Sequence, residues 1–231
     1  MSVRRALAGG LALACLMLAQ GATAAPNEDR ILPVEQHTSD KARTLATTHA
    51  GALRELNAGI YHCMPWVEVQ KHTIGFFRPK HVTGDDRQLA LRIYIEQDPS
   101  PAFARLRVEN RASAMFSRYV GPLLGRMTKD PAVIADPALD GFTIVLEWMK
   151  QAPHMSGERP INETIAVFID KPDARDYLAG ALPITQVAAK ARVLGFDGET
   201  PLGAMRLAVW DDSFVKTYKV ANYVLDPGIT C

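Results

Sequence analysis

Cysteine is scarce in this chain: only Cys15, Cys63 and Cys231 occur among 231 residues. No two of them stand in C-x-x-C spacing, and no C-x-x-C-H is present. That argues against a thioredoxin-type redox pair and against covalent haem attachment. The nucleotide loops G-x-x-x-x-G-K-[ST] and G-x-G-x-x-G are also missing, as are H-E-x-x-H and the G-x-S-x-G elbow. One S-x-x-K occurs at Ser213 and Lys216. It falls in an extended-looking segment too near the end of the chain for the motifs that should follow it, and is set aside. Charge of one sign is lacking too: 26 Lys+Arg against 25 Asp+Glu give a formal net charge of +1. With no basic run, the chain has no electrostatic footprint for nucleic acid or an anionic membrane. Beyond the first 25 residues no stretch of 18 apolar residues exists, so no membrane contact is expected after export.

What is present begins with an export signal. Arg4 and Arg5 precede an uncharged apolar or small run from Ala6 to Leu18, and Ala22-Thr23-Ala24 has the small residues that signal peptidase reads. The run is too short to span a membrane, so residues 1–25 read as a bacterial secretory signal cleaved near Ala24 or Ala25. Ala12 and Leu13 hold lipobox positions in reverse order, which disfavours lipidation at Cys15. The flanks of Arg4-Arg5 fit a twin-arginine signal only loosely, so Sec export is favoured. The expected location is the periplasm or the medium. Cleavage removes two arginines and no acid: Lys+Arg falls from 26 to 24 against 25 Asp+Glu, and net charge moves from +1 to −1.

Residues 26–38 are polar and punctuated by proline, and read as a flexible lead-in to a single domain over 39–231. Ser39 is set to cap a helix whose apolar positions run from Ala42 to Ile60 at three-and-four spacing, with His49 on the same face as a core histidine. Val67 and Val69 then alternate with polar residues, and 72–78 continues in extended style. Over 87–97, Leu89, Leu91, Ile93 and Ile95 alternate with Gln88, Arg92 and Tyr94, a strand with one buried and one more polar face. A helix is expected over 101–127, kinked or broken at Gly121-Pro122. Strands follow at 141–150 and 163–170, a helix at 173–191 broken near Pro183, and strands at 204–210 and 215–224.

The pattern predicts an α+β fold: an antiparallel or mixed sheet with about three helices on a face. The order strand–strand–helix occurs at 72–127 and again at 141–191, which suggests a ββα duplication. If the halves did not share a sheet, a boundary would fall at 128–140.

The stretch "YHCMPW" at 61–66 sets His62, Cys63 and Met64 side by side. On a strand, neighbours face opposite ways, and on a helix they fan apart, so the three do not make a compact soft-metal site. His72, His81 and His154 lack ligand spacing. No bound metal and no cofactor are expected. Signal removal leaves Cys63 and Cys231 as an even pair in an oxidising compartment, so an intramolecular Cys63–Cys231 disulfide is expected. Acids gather at strand ends: Glu96 and Asp98, Asp170 and Asp173, Asp211 and Asp212. Capping and solvation account for such acids. The leading functional expectation is an exported protein that works by binding or assembly, with a periplasmic protein or small ligand as partner. The alternative is a secreted hydrolase using those acids, with His62 or His154 as accessory base.

Overall fold

Alternating and three-and-four patterns settle into one layer of strands and one layer of helices. A computed structural model of the chain describes residues 26–95, 101–151, 160–209 and 231. Two short 3-10 turns, Glu28–Arg30 and Val34–Gln36, come first. Ser39 Oγ accepts from the Ala42 amide and starts α1 (Asp40–Thr48); α2 (Ala50–Cys63) follows. Next are β1 (Val67–Val69), β2 (Gly75–Phe77) and β3 (Gln88–Ile95). Then come α3 (Pro101–Ala104), α4 (Val108–Met127) and α5 (Pro131–Ala135). The chain continues through β4 (Gly141–Gln151), β5 (Ile161–Asp170), α6 (Lys171–Leu178), α7 (Ile184–Lys190), β6 (Arg192–Asp197) and β7 (Thr200–Ala204).

The sheet is mixed, in the order β1-β3-β4-β5-β6-β7, with β2 also pairing β3. β3 and β4 run parallel, because α3 to α5 carry the chain back to the start of the sheet between them. The other pairings are antiparallel. Strands from both sides of 128–140 therefore join one sheet. Each ββα unit is present in element order, but the first returns to a parallel neighbour and the second to an antiparallel one.

The inward positions are buried to within a few per cent: Leu89, Leu91 and Ile93 from β3, Phe142, Ile144 and Leu146 from β4, Ile165 and Val167 from β5. They form one cluster with Leu45, Leu53, Phe116, Leu123, Ala174 and Val187 from the helices. Burying such side chains supplies roughly 1.5–3 kcal/mol each, the main driving force for closing the two layers.

Several expectations need correction. Seven helices stand among the described residues, against about three, because each of the three long apolar stripes is interrupted and a short further helix, α5, lies between the second stripe and β4. The first breaks at His49 (φ −102°, ψ 18°) and the second after Ala104 rather than at Pro122, while the third breaks between Leu178 and Ile184, near Pro183 as expected. α4 runs through Pro122 unbroken. Its preceding residue is Gly121, which has no Cβ to clash with the proline ring. The expected strand at 204–210 lies earlier, at Thr200–Ala204, where it pairs with β6 around Gly198 (φ +58°). The segment 26–38 is not a loose lead-in. Leu32 donates to the Ile74 carbonyl (2.8 Å), and His72 to that of Asp29 (2.8 Å). Ile31 packs on the core. His72 turns the chain between β1 and β2 at φ +55°. The expected strand at 215–224 lies outside the described residues.

Candidate functional site: the uncovered face of the sheet

The helices cover one face of the sheet; the outward positions of its central strands stay half-buried. These positions are less polar than alternation predicts. Val145 comes from β4, Ala166 and Phe168 from β5, Leu194 and Phe196 from β6. Together with Ala90 of β3 they floor a concave cavity of about 840 Å³. That is within the size range of ordinary small-ligand pockets.

The wall at one end is built by the segment between β2 and β3. Phe77, Arg78, Pro79, Lys80 and His81 line it. The His81 ring meets Phe168 of β5 edge-on, with centroids 4.8 Å apart. The segment therefore reaches over two strand spacings, on the order of 10 Å, from β3 to β5. Arg192 stands opposite Phe168 in the β5–β6 register, beside the same ring. Burial and the Arg192 charge push His81 below the usual histidine range, against a smaller opposing pull from Asp170. None of Arg78, Lys80 and Arg192 has an ion-pair or side-chain hydrogen-bond partner among the described residues. At the other end Arg92 is matched: its Nη2 donates to Glu147 Oε2 (2.7 Å), which Gln70 also reaches (2.9 Å). No aspartate or glutamate lines the cavity among the described residues. It is thus an apolar trough with unmatched positive charge at one end.

The stretch at 61–66 resolves differently. It closes α2. Cys63 and Met64 are buried, His62 is half-buried, and the Tyr61 ring packs edge-on against it at 5.0 Å. Met64 belongs to the core cluster. Cys63 and Cys231 come to disulfide geometry, with Sγ atoms 2.15 Å and Cα atoms 5.6 Å apart, within bridging range. Among the described residues, no three His, Cys, Asp or Glu side chains are grouped to hold a metal ion.

The acids named from the sequence divide. Asp170 is exposed where β5 meets α6, and Asp173 is bound by Lys190 Nζ (2.6 Å). Glu96, Asp98, His154, Asp211 and Asp212 lie outside the described residues, as do Ser213 and Lys216. The acid that is most enclosed was not among those named. Glu163 sits on the inward face of β5, 1% exposed. Arg111 of α4 grips both its oxygens, with Nε to Oε2 at 2.7 Å and Nη2 on Oε1. Trp148 Nε1 donates to Oε2 (3.0 Å). Arg111 Nη1 also donates to the Ala104 carbonyl (3.0 Å) and to that of Leu106. With its bonding capacity filled in this way, the pair acts as a structural clamp of α4 onto the sheet. His49 is the expected core histidine: Nε2 lies 2.8 Å from Asp136 Oδ2.

One sequence signal for the trough was available. "TIVLEWMK" and "TIAVFID" are nearly continuous apolar runs instead of clean alternations. Apolar residues at outward positions mark a face that meets something other than water. No helix of the described residues is long and apolar enough to cross a membrane. No known protein family, no curated protein and no solved structure matches this chain.

Proposed function

We propose that this is an exported binding protein that holds a small, partly apolar ligand in the trough on the uncovered face of its sheet, without acting on it chemically. One observation carries the reading: a preformed cavity of about 840 Å³ floored by apolar side chains of four adjacent strands. Ligand sites are concave, mostly apolar and largely built before binding. The signal-like pattern of residues 1–25 supports a site of action outside the cytoplasm.

The test is uptake by the purified full chain of three probes below their micelle concentrations: uncharged Nile red, dodecanoate and dodecyltrimethylammonium. Saturable one-to-one uptake of at least one is expected. Thr164→Trp, at a half-exposed floor position, should abolish it with an unchanged far-UV spectrum. No saturable uptake of any probe, or uptake indifferent to Thr164→Trp in a folded protein, overturns the reading.

A further inference from the structure

We propose that the ligand is an amphipathic anion, its acidic head group held by Arg78, Lys80 and Arg192 and its apolar body laid along the strands. This rests on the trough being the binding site and adds the class of ligand. The argument is charge complementarity at one end of an apolar cavity. Three cations stand at the end formed by the β2–β3 segment and the start of β6, and none has a partner among the described residues. Some surface cations elsewhere are matched, Lys41 with Asp140, Lys129 with Glu55, Lys150 with Asp197 and Lys190 with Asp173, while Arg54, Arg105 and Arg175 stand singly at exposed positions among the described residues. What sets Arg78, Lys80 and Arg192 apart is that all three line one end of the same apolar cavity.

The distribution has a direction. At the opposite end Arg92 is neutralised by Glu147, and His72 is the remaining basic side chain. Among the described residues, Asp170 is the acid that acts on His81 at this end, and its pull is smaller than the effects of burial and of Arg192. An anionic head group therefore belongs beside Arg78, Lys80 and Arg192. From there the apolar floor runs along β5, from Phe168 past Ala166, and across to Leu194 and Phe196 of β6. A guanidinium can take two oxygens of a carboxylate or phosphate at once, and such charge-assisted bonds are stronger than neutral ones. A simple inorganic anion would leave the apolar floor wet, and an uncharged lipid would leave three cations unmatched. A molecule with both parts satisfies both.

The probe panel separates this inference from the reading beneath it. Dodecanoate and dodecyl phosphate should bind at least about tenfold tighter than dodecanol or dodecyltrimethylammonium. Which of the two anions binds tighter identifies the head group as carboxylate or phosphate. Arg192→Glu and Lys80→Glu, both exposed substitutions, should each weaken dodecanoate about tenfold and leave dodecanol unchanged. If dodecanol binds as tightly as dodecanoate, the anionic inference falls while the trough remains a ligand site. If inorganic phosphate or a polyglutamate peptide displaces dodecanoate at equal concentration, the amphipathic part of the inference is wrong. If no amphiphile of any charge binds, the trough itself is not a ligand site.

Discussion

At the scale of single residues, the side chains that matter most are those whose partners come from far along the chain. Glu163 reads as an ordinary strand acid until Arg111, 52 residues earlier, closes on it. His37 reads as a loop histidine, yet it is 3% exposed. Its two ring nitrogens have opposite roles. The Pro33 carbonyl can only accept, so Nδ1 donates to it (3.1 Å). The Phe76 amide can only donate, so Nε2 accepts from it (3.3 Å). The ring must therefore be neutral. Burial, aided by the charges of Arg87 and Arg43, holds His37 below its ordinary value of 6.5. The sign of the linkage follows. Below about pH 6.5 the unfolded chain takes up a proton that the native ring resists. Stability is complete above that pH and declines as pH falls through the folded-state value. The effect should concentrate on the strap at 26–38, which His37 fastens to β2. Corrected for the intrinsic exchange rate, protection at Leu32, Thr73 and Ile74 should fall between pH 7.5 and pH 5 more than protection at Leu91 or Val167, and His37→Gln should flatten the difference. An equal loss of protection at all five amides would refute the local role.

At the scale of elements, glycine separates sites of close approach from sites of mere tolerance. A Cβ on Gly141 at the start of β4 would stand 2.4 Å from the Ile169 carbonyl oxygen, a backbone atom that cannot swing aside. Gly125, on the exposed side of α4, has open space around it. Gly141→Ala should cost about 1–3 kcal/mol by prying β4 from β5. Gly125→Ala should gain roughly 0.5–1 kcal/mol, because alanine is the better helix former and unfolds to fewer states. Urea midpoints of the two variants should move in opposite directions; a shared direction would contradict the packing described. The helix breaks belong to this scale as well. The stripes at 42–60 and 101–127 were legible as helix, since three-and-four spacing is local. The turn at His49 was not legible: its ring meets Asp136, 87 residues away, a partner that no local spacing announces.

At the scale of the whole molecule, two residues late in the chain, Ala208 and Cys231, meet the helical layer. Ala208 donates to Ser113 Oγ on α4 (3.1 Å), and Cys231 meets Cys63 at the end of α2. The cysteines are 168 residues apart in sequence. Cross-linking so long a loop removes denatured-state entropy worth about 5 kcal/mol at most. The protein produced in an oxidising compartment and denatured without reductant should show no free thiol, and Cys63→Ser should lower the urea midpoint. Two titratable thiols per chain would refute the bridge. The trough lies on the other side of the sheet, so reduction should leave probe uptake unchanged under conditions where the protein stays folded.

The sequence by itself determined whatever depends on near neighbours: the signal-like N-terminus, the Ser39 cap, the inward alternation of β3 and the α+β class. Pairing Cys63 with Cys231 also needed only a count of cysteines and a compartment. Tertiary structure alone decided the rest. The strap at 26–38 takes its shape from the edge at Ile74, and Glu163 its role from Arg111. The trough exists because the β2–β3 segment folds across to Phe168 and sets Arg78 and Lys80 on the same side as Arg192, more than 100 residues later. A periodic pattern states which way a side chain points. It does not state what stands opposite, and a binding site consists of what stands opposite.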